Sequence, residues 1–213
     1  LEYPELAAAQ LDHAVNELGL RGASVGGHAN GEAVSNARFD PFWAKADELD
    51  VPVFMHPTNS DQWVAPEIFD GAGSLPNIIG NPLETTIFLS KLIFEGVFDR
   101  FPNLKVVGAH GSGYLPAYLG RFEVACDVRD SAACVNQKKP SEYLRSQIWA
   151  DSMVFSEEGL RHLVAEMGAS QVVFGSDAPF YWPDTLPLIE SANLDADQKE
   201  AILGGNLARL LKL

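Results

Sequence analysis

Residues 81–122 read NPLETTIFLSKLIFEGVFDRFPNLKVVGAHGSGYLPAYLGRF, and this stretch holds a helix, a strand and a second helix in that order. From Pro82 to Pro102 the chain is strongly apolar at helical spacing, interrupted by Thr, Gly and Phe and closed by a proline. The run LKVVGA (Leu104–Ala109) is short and continuously apolar, as a parallel strand covered on both faces must be, and it stops at His110. A helix over about Leu115–Val128 follows.

The same alternation extends in both directions. Upstream, VPVFM (Val51–Met55) is a second buried strand that ends at His56, and FDPFWAKADELD before it reads as a helix with Pro41 in a first-turn position. Farther back lie RGASVGG (Arg21–Gly27), small and partly β-branched, and an opening helix in which Leu6, Leu11, Val15 and Leu18 recur until Gly19. Downstream, SQIWA (Ser146–Ala150) stops at Asp151, and SEEGLRHLVAEMG carries a Ser and a Glu placed like a capping box. QVVFG (Gln171–Gly175) has Asp177 just beyond it, and helical material closes the chain from Asp195 to Leu213. Five strands separated by helices imply βα units and a parallel sheet. That pattern suits an open doubly wound sheet or a closed (β/α)8 barrel.

Composition narrows the functional classes. The 213 residues are 46% hydrophobic and 21% charged, enough for one globular domain over 1–213 with a sizeable core. A net charge of −14 repels phosphate backbones and anionic lipid surfaces, so nucleic acid and membrane are poor partners. No apolar run reaches the roughly 18–20 residues needed to span a bilayer, and no basic stretch followed by an apolar one opens the chain. The expectation is a soluble cytoplasmic protein whose two cysteines, Cys126 and Cys134, are free thiols.

Chemistry collects at the strand ends. His28, His56, His110, Asp151 and Asp177 each follow the C-terminal end of an expected strand by at most two residues. In a parallel sheet those ends share one rim, where βα loops converge on a substrate. Any one such histidine could simply cap a loop; the set favours a site. Imidazole and carboxylate suit zinc, manganese or iron, and His56 and Asp177 are the best ligand candidates. His110 is either a third ligand or an unligated acid/base.

Other residues carry two readings. His13 and His162 fall inside helices among charged neighbours and read as solvated positions. Glu84 either faces the positive end of a helix or reaches the rim. Arg121 either grips a substrate carboxylate through paired hydrogen bonds or bridges to a surface acid. Trp63, Phe180, Tyr181 and Trp182 lie in expected loops, where aromatic rings wall a pocket or pack at their bases. The sequence has no GxGxxG, no GxxxxGK[ST] and no GxSxG, and AHGSGYLP lacks the third glycine and later acid of a dinucleotide site.

Taken together, DPFWAKADELDVPVFMHP (40–57), residues 81–122, VVFGSDAPF (172–180) and AILGGNLARLLKL (201–213) resemble the amidohydrolase-related family over nearly the whole chain and in the right order. The nearest branch contains aminocarboxymuconate-semialdehyde decarboxylase and the aromatic-acid decarboxylases. The resemblance implies a (β/α)8 barrel with one divalent metal at its C-terminal rim, zinc in first place and manganese in second. It implies His56 and Asp177 as metal ligands, His110 as the acid/base and Arg121 as an arginine near the site that anchors a carboxylate; beside it, the loop reading offers Trp63 and Trp182 as substrate contacts, and the hydrolytic alternative makes Asp177 a catalytic base. It further implies a homodimer acting on a small carboxylic acid. The family's His-x-His or Glu-x-His pair at its first strand has no counterpart here. The opening helix matches the one after the family's third strand, so the chain reads as an N-terminally truncated barrel lacking three strands. The expected reaction is decarboxylation of an unsaturated or aromatic acid. Hydrolysis of an amide or lactone, hydration of a double bond, and an inactive barrel-derived module are the alternatives.

Overall fold

The computed structural model describes residues 1–58 and 64–213. Five parallel strands form one sheet: β1 (Ala23–Val25), β2 (Pro52–Met55), β3 (Lys105–Gly108), β4 (Ile148–Asp151) and β5 (Val172–Val173). Their spatial order is β1-β2-β3-β4-β5, identical to their order in the chain. A doubly wound sheet reverses direction at a switch point, whereas a barrel adds each strand beside the last. The unbroken order therefore selects the barrel class. Pairing of Met55 with Gly108, and of Gly108 with Ala150, brings the strand ends level on one rim.

Helices connect the strands: α1 (Pro4–Asn16), α2 (Asp40–Leu49), α3 (Asn81–Phe94), α4 (Val97–Arg100), α5 (Ala109–Ser112), α6 (Leu119–Val128), α7 (Pro140–Leu144), α8 (Glu157–Met167), α9 (Leu186–Ser191), α10 (Ala196–Glu200) and α11 (Asn206–Leu210). No described helix is long and apolar enough to cross a membrane. Strand periodicity sorts the core into two layers. Val53, Met55, Val106, Ile148, Ala150 and Val172 pack toward the helices, among them Phe42 and Trp43 of α2 and Phe88, Leu89 and Leu92 of α3. Phe54, Val107, Trp149 and Val173 point to the other face, where Leu207 and Leu210 of α11 cover them. Asn206 fastens α11 by donating to the carbonyls of Ala169 and Val172 at 2.7 Å each.

Several expectations are corrected. The helix expected from Leu115 starts only at Leu119, because residues 110–113 hold left-handed backbone angles and a turn follows them. Ser156 caps α8 alone, accepting from Gly159 N–H at 3.0 Å; the third position is a glycine with no side chain to reach back. The closing segment is helical from Ala196 to Leu210, as expected, with a wider π turn over Ala201–Gly205 inside it. The cysteines are not free: Cys126 and Cys134 form a disulfide, their Cα atoms 5.9 Å apart. The chain doubles back after α6 with Ala133 left-handed, which brings Cys134 alongside the helix.

Candidate metal centre and active site

Three βα junctions, those after β2, β3 and β5, supply the site. β2 ends at Met55, and the next residue, His56, is tied to the sheet through its N–H, which donates to the Val25 carbonyl at 3.0 Å. β3 delivers His110 and β5 leads to Asp177, whose φ of 54° turns the chain at the rim. Beneath Asp177, Thr185 Oγ1 donates to the Gly175 carbonyl at 2.6 Å and Gly175 N–H donates to Ser152 Oγ at 3.2 Å. These bonds lock the turn to β4.

The imidazoles and the carboxylate converge. His56 Nε2 lies 3.7 Å from Asp177 Oδ1, and His110 Nε2 lies 3.9 Å from Asp177 Oδ2. One ligand atom from each residue falls within 4.8 Å of the others. The two rings meet edge to face, their centroids 5.2 Å apart. His110 and Asp177 are sunk to 16% and 14% side-chain exposure while His56 keeps 48%, so the group opens to solvent on the His56 side.

Both nitrogen-to-oxygen distances exceed a hydrogen bond, so these groups do not satisfy one another. Two ligands of a tetrahedral ion, each about 2.0–2.2 Å from it, stand roughly 3.3–3.6 Å apart, close to the spacing here. His56 and Asp177 supply an N,O pair suited to a catalytic divalent metal, and His110 stands near enough to be a third ligand or an unligated acid/base beside it. The residues present fit a divalent ion.

His110 lies in the short turn α5, which departs from helical geometry at His110 and Gly111 and is in effect a loop. His110, Gly111, Ser112 and Gly113 all have positive φ, at 57°, 63°, 61° and 64°. Such angles are costly for a residue with a Cβ, so something must hold them. Gly113 lies so close to α3 that a Cβ there would stand 2.3 Å from the Pro82 carbonyl oxygen, and the neighbouring Tyr114 N–H donates to Thr86 Oγ1 at 2.7 Å. From the other side the Asp151 carboxylate accepts the N–H groups of His110 and Gly111, both at 2.8 Å, and that of Met153 at 3.0 Å. Burial pushes the Asp151 carboxyl above the usual carboxylate range, with the three N–H donors opposing it. Burial likewise holds His110 below the ordinary imidazole value, against the pull of the Asp151 charge. His110 Nδ1 is buried and has no hydrogen-bond partner among the described residues.

Beside the group lies a cavity of about 320 Å³ whose lining includes His110, Asn81, Tyr114, Met153, Phe155 and Trp182. Phe155 and Trp182 form one wall, their ring centroids 5.4 Å apart. Trp182 lines this cavity, whereas Trp63 lies outside the described residues. Phe180 and Tyr181 are largely exposed. Arg121 is exposed on α6 and lines no part of this cavity. Two residues of helix, about 200°, separate it from Leu119, the residue through which α6 is buried. His28 stays out of the metal group, its Nδ1 accepting from Gly31 N–H at 3.0 Å. His13 and His162 are exposed helix residues.

Two roles escaped the sequence. Glu84 is fully buried, and its Oε1 accepts the N–H groups of Gly27 and Thr58, each at 3.0 Å, which staples the loops after β1 and β2 to α3. Asp151 serves the His110 loop rather than the metal group. In both cases backbone amides are among the carboxylate's partners, and these leave no trace in side-chain spacing.

Among proteins of known sequence and structure, residues 1–213 match a family model described as Amidohydrolase. The chain is 36% identical over 220 residues to 2-amino-3-carboxymuconate-6-semialdehyde decarboxylase of Dictyostelium discoideum, a match that covers 100% of this chain and 59% of that protein. 5-Carboxyvanillate decarboxylase from Sphingomonas paucimobilis superposes with a TM-score of 0.90 at 27% identity, covering 99% of this chain and 64% of the other. A dihydroxybenzoic acid decarboxylase from Polaromonas, solved with bound manganese and the inhibitor 2-nitroresorcinol, gives a TM-score of 0.89 at 28% identity, over 100% of this chain and 67% of the other. The chain thus spans about three fifths to two thirds of the length of these relatives. Its five-stranded sheet is an arc of their (β/α)8 barrel.

Proposed function

The chain belongs to the amidohydrolase family, and from that premise we propose that it carries much of the active site of a metal-dependent decarboxylase acting on a small aromatic or unsaturated carboxylic acid. The observation that carries the reading is the convergence of His56, His110 and Asp177 within 4.8 Å at the rim, beside a cavity walled by Phe155 and Trp182. A flat acid fits between such walls, stacked on one aromatic face.

His56 and Asp177 hold the ion, zinc or manganese, which when bound supplies Lewis-acid polarisation of a substrate oxygen. His110, the more deeply set imidazole, faces the cavity and delivers a proton to the carbon that bears the carboxylate. A new C–H bond forms there. The bond from that carbon to the carboxylate then breaks, its electron pair returns to the ring or alkene, and carbon dioxide leaves. His110 regains its proton from solvent. The buried side of the group keeps bulk water from the carbon that accepts the proton. A second copy of the chain is the proposed protein partner, since Tyr118, Val124 and Val128 on and beside α6 present exposed apolar surface.

The test is carbon dioxide release by the metal-loaded protein from a panel of hydroxybenzoates, with lactones and amides alongside. Release of carbon dioxide supports the reading, and turnover confined to lactones or amides overturns it. His110→Asn should lower kcat by at least about 10³-fold with metal content unchanged.

A further inference from the structure

We propose that Asp151 is a positioning residue, whose carboxylate fixes the His110 imidazole in its reacting place by clamping the backbone beneath it. The inference rests on the reading of His110 as the proton donor. His110 reaches Asp177 only because the chain bends immediately after β3 through four left-handed residues. Two of these, His110 and Ser112, carry a Cβ, and their conformation is intrinsically disfavoured. Successive N–H groups in such a bend point to the same side and form a concave cradle for an anion. Here the anion is part of the protein: the two Asp151 oxygens take the His110 and Gly111 amides at 2.8 Å each. A third bond, from Met153 N–H, anchors the carboxylate to the loop after its own strand, so it cannot swing away. The pairing of Gly108 with Ala150 sets β3 and β4 in the register that places the next residue, Asp151, under the bend.

A neutral carboxamide of the same shape keeps one acceptor oxygen but turns an N–H₂ toward a backbone N–H, so at least one of the two cradle bonds is lost. The bend relaxes and the ring shifts. A displacement near 1 Å at a reacting group costs on the order of 10²-fold in rate without preventing substrate from binding. His56 stands on another junction, whereas the Asp151 side chain also packs beside Gly175, two residues before Asp177, so bound metal is read together with kcat.

Asp151→Asn tests this in the full-length protein, by steady-state kinetics, metal analysis and amide hydrogen exchange together. The expected result is a fall in kcat of about 30- to 100-fold, with KM and bound metal within twofold of the parent and with faster exchange at the His110 and Gly111 amides. Retention of kcat within threefold while those amides exchange freely overturns the proposal. Loss of kcat together with bound metal also overturns it, since Asp151 would then support the whole site. Where Asp151→Asn does not fold, Gly111→Ala strains the same bend while leaving the carboxylate intact, because its Cβ would stand 2.7 Å from Val154 Cγ1. It is judged by the same outcomes. If His110→Asn keeps full turnover, the proton-donor reading fails by itself. The clamp is then judged by the amide exchange and by the ring position in a crystal of Asp151→Asn.

Discussion

Glu84 and Asp151 each accept hydrogen bonds from backbone amides in the interior, and Glu84 shows what that is worth. Its removal leaves the Gly27 and Thr58 N–H groups without their acceptor in the interior, where each orphaned donor costs about 1–3 kcal/mol. Glu84→Ala is expected to lower stability by about 2–4 kcal/mol in chemical denaturation, and Glu84→Gln by less because an amide oxygen still accepts. Of the site, His56, His110 and Asp177 were legible because a strand end fixes where a residue sits on the rim and few other residue types bind metal. Arg121 was not legible. Its direction depends on where α6 starts, and that start was displaced by backbone angles at 110–113 that no periodicity encodes.

At the level of elements, β2–β5 and helices such as α2, α3 and α8 follow from apolar runs and spacing, since each buries one face or both. The run expected as one helix over Pro82–Pro102 is divided at Gly96, whose φ of 69° ends it and separates α3 from α4. Also concealed were short helices such as α7 and α9, too brief to show a period, and the wider π turn between α10 and α11. That turn puts Asn206 at the head of α11, 1% exposed, where it satisfies two carbonyls beside β5. Asn206→Ala should cost about 2 kcal/mol, near 1 kcal/mol for each bond, seen as a lower denaturation midpoint. Because α11 packs on strand residues rather than on the rim, metal binding by the same variant should be unchanged.

For the whole molecule, the core and the metal group are separate regions: the apolar side chains fill the layers on either face of the sheet, and the His–His–Asp group lies above the strand ends. Removal of metal by a chelator should therefore abolish carbon dioxide release while leaving the far-ultraviolet circular dichroism spectrum in place. Adding back manganese or zinc should restore activity, and collapse of the spectrum on chelation would instead make the ion part of the fold. The contact of Gly113 with Pro82 and the bond from Tyr114 to Thr86 join the His110 loop to the first two turns of α3, which also contributes Asn81 to the cavity. One wall of the pocket and His110 are thus a single mechanical piece, and the segment before Phe155 is tied to the same bend through Met153 and Val154. In the proposed reaction, a descendant selected for a bulkier acid cannot remodel those walls without disturbing the proton donor, so new substrate ranges should arise first through exchanges at Trp182, which stands on the loop after β5.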